Sequence, residues 1–139
     1  MRLFIGLCES LSPDIADDGE DEDRDLFSQG YCHALALALH RKTGLPMVAL
    51  EAREGCRWAI IHVMVEQDEH TFIDIDGERT IDEILYDADI DDTETEIRLV
   101  EATETDLKKW TRRGMVAISP EMMAKAEAAA DRVIARLAE

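Results

Sequence analysis

The fold turns on Gly30-Tyr31-Cys32-His33-Ala34-Leu35-Ala36-Leu37-Ala38-Leu39-His40-Arg41-Lys42-Thr43-Gly44-Leu45-Pro46. From Cys32 to Thr43 this stretch is built of strong helix formers, chiefly Ala and Leu, which lose little side-chain freedom in a helix. Gly44 accepts the left-handed conformation that ends helices, and Pro46 cannot continue one. Because Ala and Leu fill most of the circumference, we expect a helix buried on several sides, with Cys32 in its first turn. It is the predicted central helix.

Outward from that helix, Met47 to Glu51, Trp58 to Glu66 and Thr71 to Asp76 are rich in Val, Ile and aromatic residues and are separated by short polar connections. This spacing predicts three strands of an antiparallel meander. Thr80-Ile81-Asp82-Glu83 has the form of a capping box, so a short helix is expected to start at Ile81. Ile97 to Glu101 reads as a further strand, and Thr103 with Asp106 opens a helix reaching Arg112. Ser119 and Pro120 form an N-cap and first-turn pair. After them Met122, Ala126, Ala130, Val133 and Leu137 follow helical spacing and predict a terminal amphipathic helix. The expected class is α+β: a Cys-bearing central helix packed on an antiparallel sheet, with a C-terminal amphipathic helix. No internal repeat or long linker divides residues 1–139, so we expect one domain.

Charge narrows the function. The 139 residues carry 15 Lys and Arg against 32 Asp and Glu, a formal charge of −17. Acidic runs at Asp14 to Asp25 and Asp87 to Glu96 lack apolar positions and are expected as solvated loops. Nucleic-acid binders need a positive footprint, so direct nucleic-acid binding is not expected, and a basic protein or peptide is the complementary partner. No apolar run approaches the roughly 20 residues of a membrane span, and Leu3 to Leu7 is too short for a signal peptide's apolar region. We therefore expect no membrane association. Cys8, Cys32 and Cys56 are odd in number and widely separated, which suits reduced thiols in a cytoplasm better than a disulfide framework.

The chemistry-bearing residues are Cys32, His62 and Asp74. A thiol at a helix N-terminus lies beside free N–H groups and the positive end of the helix dipole, which favours thiolate. If Trp58 to Glu66 pairs with Thr71 to Asp76 around a turn centred on Asp68, His62 faces Asp74 directly across the hairpin. The carboxylate would then orient the imidazole while the other ring nitrogen meets the sulfur, the arrangement of nucleophile, base and orienter. Asp76 shares the face of Asp74 and is the competing orienter. His33, directly after the cysteine, competes with His62 as base if it points inward. Read singly, each of these residues also has a plain structural role: a buried thiol, a strand histidine satisfied by a neighbouring carboxylate, a solvent-facing strand aspartate.

The Gly-x-Cys helix start, the helix end Thr43-Gly44-Leu45-Pro46, the strand carrying His62-Val63 and the segment Phe72-Ile73-Asp74-Ile75-Asp76-Gly77 resemble the papain-like and transglutaminase-like cysteine superfamily. The likeness is nearest to small bacterial members with Cys, His and Asp in chain order, and it covers about Phe27 to Glu83. It implies a helix on an antiparallel sheet and acyl transfer through a thioester, with peptidase, deamidase or transglutaminase outcomes set by the acceptor. Papain-type enzymes place an oxyanion-stabilising Gln further upstream than Gln29, which lies three residues before Cys32. The Cys32 backbone N–H is the other donor for such a hole.

Other site types fit poorly. Cys32, His33 and His40, with Cys8 or Cys56, lack paired metal-ligand spacings, so no metal or other cofactor is expected. The Asp87 to Glu96 run lacks the glycine and closing glutamate of a calcium loop, and no phosphate-binding glycine loop is present. Two functions remain: a cysteine-dependent acyl transfer on a basic protein or peptide, or a non-catalytic acidic module that mimics nucleic-acid charge and occupies a basic partner surface.

Overall fold

Helix α1, Cys32–Thr43, runs through the centre of the molecule, with Cys32 to Leu39 all buried. A computed structural model describes residues 23–28 and 30–139. Gly44 ends α1 at φ 79°, and its N–H donates to the His40 carbonyl. The side chain of Thr43 secures the exit, donating to the Leu39 carbonyl at 2.6 Å and accepting from Leu45 N–H at 3.2 Å.

Strands β1 (Met47–Glu54), β2 (Arg57–Glu66), β3 (Thr71–Asp74) and β4 (Gly77–Thr80) come next, then α2 (Ile81–Asp87), β5 (Ile97–Ala102), α3 (Glu104–Arg112) and α4 (Pro120–Leu137). The strands form one antiparallel sheet in the order β4-β3-β2-β1-β5. The class is thus α+β, with α1 packed on the sheet and a helix at the C-terminus. Thr80 and Glu83 make the expected capping box, Thr103 and Asp106 make a second, and Ser119 caps α4 ahead of Pro120.

Two apolar clusters sandwich the sheet. On one face α1 and the fully buried Ala126, Ala129, Ala130 and Val133 of α4 pack with Met47, Ala49, Val63, Val65 and Ile73. On the other, Leu50, Met64 and Phe72 meet Ile84 and Leu85 of α2. Small residues on α4 let the two helices approach closely, so α4 covers α1 and completes its burial.

Two expectations need correction. The third strand ends at Asp74, because Gly77 (φ 92°) turns the chain into β4, and the polar Gly77-Glu78-Arg79-Thr80 gives no apolar alternation by which a strand is predicted. Residues 23–25, expected in the acidic loop, lie instead in a short helix over 23–27. Asp23 is buried there because Arg132 of α4 binds its carboxylate through two hydrogen bonds of 2.6 and 2.7 Å; the expected loop at 14–22 lies outside the described residues. The second acidic stretch begins in the last residue of α2 and continues as exposed turns up to β5. Among the described residues, no helix is long and apolar enough to cross a membrane.

Candidate active site

Cys32 is the first residue of α1. Its N-cap, Tyr31, makes no side-chain capping bond, and the Tyr31 carbonyl accepts from both Ala34 and Leu35. The helix start therefore keeps its dipole uncompensated by a side chain at the point where the thiol sits. Cys32 is only 9% exposed. Hydrogen bonding with the side chains of His33 and His62 and with the Val63 backbone acts on its thiol.

A β-bulge positions His62. Strand β1 pairs Leu50 with His62 but Glu51 with Ile60, which leaves Ile61 as an extra residue. Bulges bend a strand and re-aim its side chains, and this one falls immediately before the histidine. Beyond it, β2 and β3 pair only at Val65 with Ile73 and Glu66 with Phe72.

That register corrects the predicted one: His62 lies diagonally from Asp74, not directly opposite. The cause is the turn. Asp68 Oδ1 accepts from the N–H groups of His70 (2.8 Å) and Thr71 (3.0 Å), and Gln67 N–H donates to the Thr71 carbonyl at 3.0 Å. Together these bonds shift the centre of the turn to Glu69. Diagonal neighbours remain within reach of long side chains, and His62 Nε2–H donates to Asp74 Oδ2 at 2.9 Å. Nδ1 is then the nitrogen left for the thiol.

The charges are arranged to match. Burial pushes the Cys32 thiol up, but hydrogen bonds from His33 and His62, the His62 charge and the Val63 backbone outweigh it and bring the thiol down to about 6. Burial likewise opposes protonation of His62, while Asp74 and Cys32 overcome it and raise the imidazole to about 9. Burial also works against ionisation of Asp74, yet His62, Arg79 and the Asp76 N–H hold its carboxyl below the usual carboxylate range. Between these limits the site is a thiolate beside an imidazolium, backed by a carboxylate.

Asp76 does not reach His62. Its carboxylate binds Arg24 at 3.1 Å and Arg79 at 3.6 Å, while its N–H donates to Asp74 Oδ1 at 2.8 Å. His33 does point inward. It is 1% exposed, and its Nε2–H donates to the Val116 carbonyl at 2.8 Å. Gln29 lies outside the described residues. Cys56, in the β1–β2 turn, is exposed where Cys32 is buried.

Arg79 is the site residue that reading the sequence missed. Its guanidinium meets Asp74 at 3.2 Å, Asp76 and Asp87, so one cation ties β3, β4 and α2 together behind the histidine. The clue was a lone Arg five residues after Asp74 in an otherwise acidic hairpin, legible only once β4 is recognised. A cleft of about 450 Å³ opens beside the pair, lined by Arg24, Ser28, His62, Asp74, Asp76 and Arg79 among others. Among the described residues, no three His, Cys, Asp or Glu side chains converge as a metal site.

Compared with known proteins, the chain matches no family model, no curated protein and no solved structure.

Proposed function

We propose that the protein is a papain-like or transglutaminase-like cysteine acyltransferase or hydrolase acting on a basic protein or peptide through Cys32, His62 and Asp74. The observation that carries this reading is the bond from His62 Nε2 to Asp74 Oδ2 at 2.9 Å, made by a histidine that also meets a thiol lowered to about 6. The Cys32 thiolate would attack a carbonyl or carboxamide carbon, and the helix-start N–H groups would receive the charge that builds on the oxygen. His62 Nδ1–H then passes its proton to the departing amine or ammonia, leaving a thioester on Cys32. Water or an incoming amine, deprotonated by His62, attacks that thioester and releases the sulfur as thiolate. Asp74 holds the imidazole in the tautomer that makes both transfers possible. The acceptor decides among peptidase, deamidase and transglutaminase outcomes.

The test is site-resolved alkylation with iodoacetamide across pH, read by mass spectrometry with exposed Cys56 as internal control. Cys32 is expected to label with a half-point near 6, and His62→Ala is expected to move that half-point upward, because burial then acts with less opposition. A Cys32 half-point equal to that of Cys56 in the unaltered protein sinks the proposal.

A second reading draws on a different observation. Cys32 is only 9% exposed, and the cleft beside His62 and Asp74 is not lined by the sulfur. Those facts favour a non-catalytic acidic module occupying a basic partner surface, for which the exposed stretch after α2 supplies the charge. Partner binding insensitive to salt excludes it.

A further inference from the structure

A second cleft, of about 380 Å³, is built partly from the first residues of the histidine strand. Its walls include Glu51 of β1, Arg57, Trp58 and Ile60 of β2, and Trp110 and Arg113 from α3 and its end. Ile60 is the ladder neighbour of His62 across the bulge. Met115, also in the wall, precedes the residue whose carbonyl holds His33. This cleft shares no lining residue with the one beside His62 and Asp74.

Its composition departs from that of the molecule. Trp58 and Trp110 are the only tryptophans in the chain, and both line it. The Glu51 carboxylate is already satisfied, since Arg98 Nε–H donates to it at 2.6 Å while the same guanidinium covers the Trp58 ring at 4.1 Å. With that charge neutralised inside the wall, Arg57 and Arg113 remain. Among the described residues, neither forms an ion pair, in a chain where acidic groups outnumber basic ones by more than two to one. Both are exposed, so their guanidinium forks are free to meet a bidentate anion.

We propose that this cleft binds a planar aromatic anion, with the ring against the Trp110 indole and the edge of Trp58, whose face carries Arg98, and a carboxylate or phosphate between Arg57 and Arg113. The overall negative charge does not forbid it, since at physiological ionic strength charges beyond about 8 Å are largely screened. Binding needs no turnover, and the proposal stands apart from the thiol chemistry.

The two indole N–H resonances report on the cleft directly, with Trp58→Phe and Trp110→Phe assigning them. Titrations of the full chain use benzoate and phenyl phosphate as anionic probes, benzamide as the neutral analogue and benzylamine as the cation. Saturable shifts of both indoles with an anionic probe are expected, and whichever of the two anions binds tighter names the head group. The double variant Arg57→Gln, Arg113→Gln, altered only at exposed positions, is expected to weaken that binding about tenfold, as loss of a charge-assisted contact implies. Cys32→Ala is expected to leave it unchanged, which separates this site from the acyl-transfer reading. The proposal is overturned by benzamide or benzylamine binding as tightly as the anions, by no saturable shift, or by full affinity in the double Gln variant.

Discussion

Asp74 Oδ2 accepts a hydrogen bond from His62 and lies in an ion pair with Arg79, so the carboxylate serves two cations through one oxygen. The two contacts have opposite consequences for the histidine. His62 needs the carboxylate ionised, which Arg79 favours, yet Arg79 also draws on the same negative charge that raises the imidazole. Asp74→Asn removes the charge and lets His62 fall from about 9 toward its ordinary 6.5, so the ion pair with Cys32 should survive over a narrower pH range. If the acyl-transfer reading holds, kcat/KM falls by roughly 10²- to 10⁴-fold, the loss expected of a triad acid that no longer fixes the tautomer. Replacement of Arg79 by Gln is a different perturbation, because it leaves Asp74, Asp76 and Asp87 facing one another without their shared cation. Its expected signature is lost stability, measurable by thermal unfolding, with the bell of the pH profile kept. The range over which both groups are charged sets that bell. His62, raised, contributes stability fully below pH 6.5 and loses it as pH rises through about 9. Cys32, lowered, contributes above 9.0 and loses it as pH falls through about 6. Both groups are charged only between about 6 and 9, and thiol reactivity measured outside that window should lose its His62 dependence.

Among the elements, α1 and α4 depend on one another more than on their own propensities. Ala126, Ala129, Ala130 and Val133 are fully buried against the face that α1 presents, so there is no room for a longer side chain. Ala130→Leu should cost about 1–3 kcal/mol through overpacking. Thr103→Ala, which deletes an exposed capping box on α3, should cost about 1 kcal/mol. Denaturant unfolding measures both, and an Ala130→Leu cost well below about 1 kcal/mol would mean that the α1–α4 contact is looser than its burial implies. Much of this architecture was legible in the residues. The Ala-Leu run announced a buried helix, Thr80 with Glu83 and Thr103 with Asp106 announced two helix starts, and Ser119-Pro120 announced a third. The convergence of His62 and Asp74 was readable from two β-leaning segments joined by a short polar turn. The diagonal register was not, because it rests on the Asp68 side chain capping two N–H groups and on one unmatched residue, Ile61, whose apolar character is the same inside a bulge as outside it. Strand β4 was hidden for a related reason: it is a polar edge strand held by Gly77 and by Arg79, and neither leaves a periodic signal. Asp23 escaped because its partner, Arg132, lies 109 residues away.

At the scale of the whole molecule the −17 charge sets a cost that the fold must carry. Ion pairs engage Arg24, Arg41, Lys42, Arg53, Arg79, Arg98 and Arg132 with carboxylates, and those of Arg41 and Arg53, exposed on both sides, are each worth about 0–1 kcal/mol. With 32 acidic groups against 15 basic ones, pairing cannot neutralise the surface, and the compact state concentrates the excess more than the unfolded chain does. Added salt should therefore stabilise this protein, whereas it would destabilise one governed by exposed ion pairs. Raising sodium chloride from 20 to 300 mM shortens the Debye length from roughly 20 Å to below 8 Å, so repulsion across the molecule fades while contacts near 3 Å are weakened less. The expected result is a rise in the unfolding midpoint of about 3 °C, equivalent to about 1 kcal/mol for a domain of this size. The same titration should slow association with any basic partner, since long-range attraction is screened by the same ions that relieve the repulsion. A midpoint that falls with salt would show that the favourable pairs, not the excess carboxylates, govern the surface, and the acidic face would then be an internally balanced network with little charge left to steer a partner.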